Sequence, residues 1–214
     1  MGAVCVYSAS MRIDPSEISA RKIYRLMTFA IAPRPIAWVG TVSEAGITNL
    51  APFSFFNGVC ASPPTVIFSC SVRRDGSVKD TLRNLQAVPE FTISTVSFAQ
   101  GDKMNLSATE LPYGDSEFAT YQIAAQPSER IRPPRVQQAK LAFECTLQQL
   151  IPVGEGPLSA TLVLGRIVLV HIDDSVIDPA GDPIAENLDL IGRMGGDGYC
   201  RTREHFTLTR PKEK

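Results

Sequence analysis

The chain has 214 residues, 44% of them hydrophobic and 20% charged, which is typical of globular proteins that bury a sizeable core. Its 21 basic and 22 acidic residues give a net charge of −1, which argues against a dedicated nucleic-acid binder, because such proteins usually carry a basic excess. No apolar run is long enough to cross a bilayer, and "MGAVCVYSAS" lacks the features of a secretory signal, so we expect a cytoplasmic protein with no membrane segment.

The cysteines and histidines argue against several kinds of site. The five cysteines are odd in number and widely scattered, without a C-x-x-C pair, which argues against a disulfide framework or a zinc site. His171 and His205 are the only histidines, so a multi-histidine metal centre is excluded. A Ser-His-Asp hydrolase would have to depend on one of these two residues. We therefore expect no metal site.

The first predicted element is a helix over about 15–28. Asp14 is a suitable N-cap, Pro15 suits the first turn, and apolar residues recur with helical spacing as far as Met27. The helix must end before "APRP", because each proline disfavours helical geometry in the residue that precedes it.

Strands dominate the rest of the chain. "IAWVGTV" and "ITNLAPF" flank "SEAG" and predict a β-hairpin, and "PPTVIFSCSV" predicts a buried strand. "SVKDTLRNLQAV" has helical spacing, after which "EFTISTVS" predicts another strand. Two long strands follow in "LAFECTLQQLIPV" and "ATLVLGRIVLVHI", and the tail over about 173–214 is rich in loop residues. No linker separates a second domain, so one domain is predicted over 1–214.

This order of elements predicts the fold class. Six strands with few helices, and no regular alternation of strand and helix, argue against a doubly wound parallel sheet. The pattern favours a mainly β fold, an antiparallel barrel with peripheral helices. A dinucleotide-binding glycine motif is also absent, because Gly154 and Gly156 are followed by Ser159 where a third glycine would be required.

Polar residues interrupt the apolar stretch "GITNLAPFSFF" at residues 46–56. Thr48, Asn49, Pro52 and Ser54 are consistent with a sheet edge or bend, and equally with a strand whose backbone is shaped around a ligand.

The segment "FSCSVRRDGSVKDT", residues 68–81, leaves a strand, makes a turn and opens a helix. Free amides and basic side chains at a helix N-terminus favour an anion such as a phosphate monoester. A solvated loop that caps the helix is the alternative for this segment.

Taken together, "APRPIAWVGTVSEAGITNLAPFSFFNGVCASPPTVIFSC" and "KDTLRNLQAVPEFTIS" resemble the flavin reductase-like family of FMN-binding split barrels. Further similar segments are "DKMNLSATELPYGDSEF", "RIRPPRV", "ECTLQQLIPVG" and "RMGGDGY", so the resemblance extends from about residue 23 to residue 199. It implies a six-stranded Greek-key split barrel, usually a homodimer, with FMN held noncovalently near the subunit interface.

The resemblance also implies a set of cofactor-binding residues. "TNLAPFS" is similar to the family strand that meets the flavin ring and ribityl chain, and the start of the "KDT" helix is similar to the phosphate side. Arg34 of "PRP" is an expected neighbour, and "MNLSA" matches a segment near the flavin. The expected FMN-binding residues are Arg34, Thr48, Asn49, Ala51, Pro52, Ser54, Ser69, Arg74, Lys79, Asp80, Thr81, Asn105 and Ser107.

The implied activity is hydride transfer from NADH or NADPH to FMN, with the electrons passed on to another flavin, a protein, oxygen or a metal complex. The acceptor could be a separate oxygenase chain. Relatives often carry a histidine where this chain has Gly154, Glu155 and Gly156, so the resemblance carries no imidazole contact over to this chain and leaves the donor preference open.

Three alternatives stay open at this point. The chain could be a non-catalytic FMN-binding redox carrier, or a split barrel that uses haem or a deazaflavin, of which haem is the poorer fit with two histidines. It could also be an interaction module, although Trp38 lies in a strand-like segment where core packing is the expected role.

Overall fold

The computed structural model describes residues 11–73 and 75–211. The helices of these ranges are α1 (Ala20–Ala30), α2 (Asp80–Ala87), α3 (Gly101–Leu106), α4 (Glu117–Thr120) and α5 (Ala185–Leu188). The strands are β1 (Ala37–Val42), β2 (Thr48–Phe53), β3 (Phe56–Ala61), β4 (Pro64–Ser71), β5 (Glu90–Ser94), β6 (Ala125–Gln126), β7 (Arg135–Val136), β8 (Leu141–Val153), β9 (Ala160–Ile172), β10 (Ile191–Arg193) and β11 (Tyr199–Arg201).

Seven of these strands form one antiparallel sheet in the order β2-β1-β5-β8-β9-β4-β3. Its two edges, β2 and β3, are successive stretches of chain separated only by Ser54 and Phe55. The sheet therefore closes into a barrel, because the β2–β3 segment pairs with β1 at one end and with β4 at the other. Counted as one interrupted strand, this segment gives the six-stranded barrel that was predicted, and the mainly β fold class is confirmed.

The strand β3 lies outside the predicted strands. Asn57 and Gly58 have low strand propensity. The residues of β3 are mostly exposed, and a strand that buries few side chains does not need the apolar alternation by which strands are predicted. Pairing with β4 produces the strand instead. At the break before it, the carbonyl oxygen of Phe55 accepts the backbone N–H of Ser69 at 2.9 Å, so the contact with β4 continues through the interruption.

Two hydrophobic clusters use opposite faces of β1, because successive residues of a strand point to opposite sides. Ala37 and Val39 belong to the cluster inside the barrel, and Ile36 and Trp38 belong to the cluster between the barrel and helices α3 and α4. The first also contains Val66, Phe68, Leu85, Phe91, Ile93 and Val163, and the second contains Leu50, Val96, Met104, Phe118 and Val136. Burial on both faces explains why "IAWVGTV" is a continuous apolar run.

Two glycines have clear structural reasons. Gly46 in the β1–β2 turn has φ +84°, the left-handed conformation that the predicted hairpin requires. Gly165 lies against the ring of Phe91, and a Cβ added there would be 2.1 Å from Cζ. The aromatic ring therefore fills the space that a side chain at position 165 would need.

The helix predicted over about 15–28 is divided in two. Asp14 caps a 3-10 turn at Pro15–Glu17, and Ser19 starts α1 by accepting the backbone N–H of Lys22 at 3.3 Å. Two competing caps four to five residues apart explain the division. Several apolar side chains of α1 are exposed, among them Leu26, Met27 and Phe29.

The tail over about 173–214 is loop-rich as far as residue 211, and it contains only α5, β10, β11 and a 3-10 turn. Asp189 holds its end by accepting from Arg201 at 2.6 Å and from Arg203 at 3.1 Å. Within residues 11–73 and 75–211, no helix has both the length and the hydropathy that a membrane span requires.

Candidate functional site

A cleft opens between β2, the start of α2 and the segment that follows α3. Its cavity volume is about 60 Å³, and about 430 Å³ when the space that is open to solvent is included. Seven residues from the predicted cofactor set line it, namely Asn49, Ala51, Pro52, Lys79, Asp80, Thr81 and Ser107. Six residues outside that set also line it, namely Arg73 of the predicted anion-binding segment, Ala108, Thr109, Glu110, Leu111 and Glu117.

The N-terminus of α2 leaves hydrogen-bond donors free at this cleft. Lys79 occupies the N-cap position, where Ser, Thr, Asp or Asn would normally accept from the first amides, and its side chain has no acceptor atom. The amides of Leu82 and Arg83 both donate to the Lys79 carbonyl oxygen at 3.0 Å. In the described ranges the amides of Asp80 and Thr81 have no partner, so they are available to an anion.

The charged side chains around this helix end are partly paired. Arg73 donates to the carboxylate of Asp80 at 2.7 Å, and both side chains are largely buried. Lys79 lies beside this pair, with its ammonium group 5.8 Å from the ring centroid of Phe53. Because Asp80 offsets the charge of Arg73, the ammonium of Lys79 supplies the positive charge next to the free amides.

A buried polar network forms the wall between the cleft and the barrel. The amide of Asn49 donates to Thr41 Oγ1 and Thr81 Oγ1, each at 3.2 Å, and the amide of Asn84 donates to Thr41 Oγ1 at 3.1 Å. These bonds hold α2 against β1 and β2. Asn49 therefore has a packing role in addition to its place on the cleft wall. For this residue, the polar interruption of β2 serves the contact with α2 as well as the cleft.

Glu117 is a buried acid of the cleft that the sequence did not indicate. Only 4% of this residue is exposed, and its Oε2 atom accepts the backbone N–H of Leu50 at 2.8 Å. Burial raises the pKa of its carboxyl group, the hydrogen bond from Leu50 lowers it, and the charge of Asp80 raises it again, so the net shift is upward. A single glutamate in "GDSEF" has no local pattern that would have identified it.

Thr48 lies in a small neighbouring pocket that shares Asn49 and Asp80 with the cleft. Its hydroxyl is 2.7 Å from that of Ser116. Tyr113 lines the same pocket and lies under the guanidinium of Arg83, 3.6 Å from the ring centroid. The segment after α3 is therefore fastened to both β2 and α2.

Three residues of the predicted set lie in a second groove, separate from the cleft. Arg34, Ser54 and Ser69 line it together with apolar side chains that include Phe55 and Leu162. Ser69 was expected on the phosphate side, but it is not among the residues that line the cleft with Lys79. Its position on β4 next to the interruption of the β2–β3 segment explains this difference.

Arg34 is buried, and internal hydrogen bonds occupy its guanidinium. Nη1 donates to the carbonyl oxygens of Thr28 and Ile31 at 2.5 and 2.7 Å, and Nη2 donates to that of Met194 at 3.0 Å. Nε donates to Ser54 Oγ at 3.3 Å. Desolvation lowers the pKa of Arg34 from its ordinary value. The residue joins the end of α1 to the tail, which is a structural role.

Of the two predicted residues in "MNLSA", Ser107 lines the cleft and Asn105 does not. Asn105 is exposed on α3, and its Oδ1 atom accepts from the hydroxyl of Tyr199 at 3.2 Å. Ser107, at the end of the same helix, is buried, donates to the Met104 carbonyl oxygen and accepts from Trp38 Nε1 at 2.9 Å. Arg74 lies outside the described residues.

A family model and a relative of known sequence each match most of the chain. A family model described as "Flavin reductase like domain" matches residues 29–183. An uncharacterized protein of Deinococcus radiodurans is 40% identical over 194 residues, which cover 87% of this chain and 84% of the relative.

Two solved structures are also similar. Nitrilotriacetate monooxygenase component B from Bacillus cereus is 34% identical with a TM-score of 0.88, covering 94% of this chain and 99% of that one. The 2-nitrobenzoate 2-nitroreductase NbaA from Pseudomonas fluorescens is 29% identical with a TM-score of 0.84, covering 94% and 96%.

Proposed function

Because the chain belongs to the flavin reductase-like family, we propose that its cleft binds FMN and that the protein is an oxidoreductase that takes electrons from NADH or NADPH. The observation that carries this proposal is the start of α2, where the free amides of Asp80 and Thr81 and the ammonium of Lys79 face one cleft. Helix N-termini of this kind are anion sites, and a phosphate monoester suits them.

Apolar residues beside these polar groups support the part of the proposal that concerns the ring of the cofactor. Ala51, Pro52 and Leu111 give it apolar surface, and this surface suits an aromatic ring system. The polar groups at the start of α2 would hold the phosphate end of such a ligand, and the apolar residues would contact its ring, so that the ligand binds in one orientation. The proposed set therefore consists of the cleft residues, with Thr48 next to them.

In this proposal the flavin and the protein have separate tasks. When bound, the flavin supplies the hydride and electron chemistry, so the protein needs no acid-base triad. Lys79 and the α2 amides hold the phosphate, β2 supports the ring, and residues 107–111 restrict the access of water to the cleft.

We also propose a homodimer and a separate electron acceptor. The exposed apolar side chains of α1 support a contact between copies of the chain. The similarity to component B of a monooxygenase supports an oxygenase as acceptor, and the similarity to a nitroreductase supports direct reduction of a small aromatic molecule. The first of these rests on the higher identity.

The test is the visible absorption spectrum of protein that has been loaded with FMN and desalted, recorded without oxygen before and after NADH and then NADPH. We expect a retained flavin spectrum that bleaches with one or both donors. Retention without bleaching would contradict the nicotinamide part of the proposal and indicate a redox carrier or another electron source. No retention, together with no turnover of free FMN, would contradict flavin use altogether.

A further inference from the structure

Among the residues that the structure describes, Glu117 makes no ion pair like the one between Asp80 and Arg73. Among the described residues, its one hydrogen bond from another residue comes from the backbone N–H of Leu50, at 2.8 Å. That bond fixes the carboxyl group against the edge of β2 while the side chain also lines the cleft. The carboxyl group is thus buried, held in place, and part of the surface that a ligand would meet.

The charges that face Glu117 come from two sides of the cleft. Arg73, Lys79 and Asp80 belong to the turn before α2 and to its first residue, and Glu110 belongs to the segment after α3. Asp80 raises the pKa of Glu117 and Arg73 lowers it, and burial acts in the same direction as Asp80. Among the described residues that line the cleft with Glu117, the basic Arg73 and Lys79 are matched by the acidic Asp80 and Glu110, and Arg73 is bound to Asp80.

An anionic ligand would change this balance. A phosphate group near −2 at neutral pH, held at Lys79, adds negative charge to a cleft that already contains an ionisable buried carboxyl group. A like charge disfavours ionisation, and the interaction is stronger in a partly desolvated cleft than in water. We propose that Glu117 takes up a proton when the phosphate group of a flavin enters this cleft. The inference rests on the proposed function, because that proposal places the phosphate at Lys79.

The sign of the resulting pH dependence follows from reciprocity. If the bound phosphate raises the pKa of Glu117, the protonated protein must bind the phosphate more tightly by the same factor. The affinity for FMN is then highest when Glu117 is protonated and falls as the pH rises from the pKa of the free protein to that of the complex. Each unit of difference between the two pKa values lowers the affinity about tenfold over this range.

The variant Glu117→Gln isolates the effect, because its amide oxygen can still accept the N–H of Leu50 while the group no longer titrates. Glu110→Gln is the matched control, since it removes the same charge from an exposed position of the same cleft. Proton uptake is measured by titration calorimetry with FMN, at fixed pH, in two buffers that differ in ionisation enthalpy. The series runs from about pH 5 to about pH 8, which spans raised glutamate pKa values.

We expect wild-type protein and Glu110→Gln to take up more protons per bound FMN than Glu117→Gln, by up to about one proton. Because the phosphate itself titrates near neutral pH, the difference between variants is the quantity that matters. Glu117→Gln should keep its affinity for FMN as the pH rises, and riboflavin, which has no phosphate, should produce no Glu117-linked uptake. Infrared difference spectra should show a protonated carboxyl band on FMN binding to wild-type protein.

Equal proton uptake by wild-type protein and Glu117→Gln, or a missing carboxyl band, would overturn the inference while leaving FMN binding intact. Equal Glu117-linked uptake with FMN and riboflavin would also overturn it, because the phosphate would then not be the cause. Failure of wild-type protein to bind FMN at any pH would overturn the proposed function, and this inference with it.

Discussion

Two buried glutamates lie in regions that use a carboxyl group in different ways. Glu144, on β8, is fully buried and accepts from the backbone N–H groups of Glu129 and Arg130 at 2.8 Å each, and from His171 Nε2 at 2.6 Å. Glu117, in the cleft, is almost as buried but has only Leu50 as a donor from another residue of the described chain.

The number of donors determines the direction of each pKa shift. Burial raises the pKa of both groups, but for Glu144 the hydrogen bonds from Glu129, His171 and Arg130 outweigh it and the pKa is lowered. For Glu117 the pKa stays raised. A fully satisfied buried carboxylate is thus part of the framework, whereas a weakly satisfied one beside a cleft can respond to a ligand.

Glu144 has a framework role because its carboxylate binds the backbone of a proline-rich segment. This segment, residues 127–135, lies on the barrel through several bonds to strands. Glu90 accepts the backbone N–H of Arg132 at 2.8 Å, and Thr92 donates to the Pro134 carbonyl oxygen at 2.8 Å. Its order comes from these side chains of the barrel, since prolines supply no backbone donor.

The largest expected effect comes from removing the framework carboxylate. Glu144→Ala removes the acceptor of the Glu129 and Arg130 amides and of His171 from a fully buried position, and we expect it to lower the free energy of unfolding by about 3–5 kcal/mol. Urea titration measures this change. Glu144→Gln, which keeps one acceptor oxygen, should lose less, and a loss below about 1 kcal/mol for the alanine variant would contradict the role assigned to this residue.

The next effect belongs to the cleft and concerns ligand affinity. Lys79→Ala should weaken FMN binding at least about tenfold, because a hydrogen bond to a charged group contributes about 1.5–3 kcal/mol, while riboflavin binding should change little. Fluorescence titration of both ligands checks this, with Lys22→Ala on the exposed surface of α1 as the control. Equal weakening of FMN and riboflavin would show that the phosphate lies elsewhere.

The two glutamates can be compared through the dependence of the free energy of unfolding on pH, whose acidic part we call the acid limb. Because the folded-state pKa of Glu144 is lowered, its contribution is present above the unfolded pKa and is lost as the pH falls through the folded pKa. Each unit of lowering contributes about 1.4 kcal/mol. Glu144→Gln should therefore flatten the acid limb in urea titrations, and an unchanged limb would contradict the lowered pKa.

Glu117 should behave in the opposite way. Its raised pKa favours the protonated form in the folded state, so its contribution is present below the unfolded pKa and is lost as the pH rises through the folded pKa. In urea titrations, Glu117→Gln should remove the decrease in the free energy of unfolding that accompanies rising pH. The change at acidic pH that Glu144 causes should remain.

The smallest expected effect concerns the second groove. Ser69→Ala should leave the affinity for FMN within about twofold, or about 0.4 kcal/mol, because this side chain does not line the cleft. A tenfold loss in the same titration would favour the sequence-based placement of Ser69 beside the phosphate and would weaken the distinction between the cleft and the groove.

Local signals explain what the sequence predicted well. The alternation and β-branched residues of the strands, the glycine of the β1–β2 turn and the helical spacing after Lys79 all depend on neighbours in the chain, and each gave an element in the right place. The proposed anion site at the start of α2 depends on a local signal as well, since a helix N-terminus and its basic residues are adjacent in sequence, and it stays a prediction.

Long-range contacts explain the positions that local sequence signals did not indicate. Ser69 faces the second groove because of the way β4 meets the interrupted β2–β3 segment, and Arg34 is bound by carbonyl groups as distant as Met194. Glu117 and Glu144 are buried against amides far away in the chain, and no spacing rule connects a single glutamate to such a donor. These positions depend on tertiary structure, which local propensity does not specify.

The most direct test of the central claim is a crystal structure of the protein with FMN that locates the phosphorus atom. We expect phosphate oxygens within hydrogen-bond distance of the amides of Asp80 and Thr81 and of the Lys79 ammonium group. A phosphate in the second groove, beside Arg34 and Ser69, would contradict it.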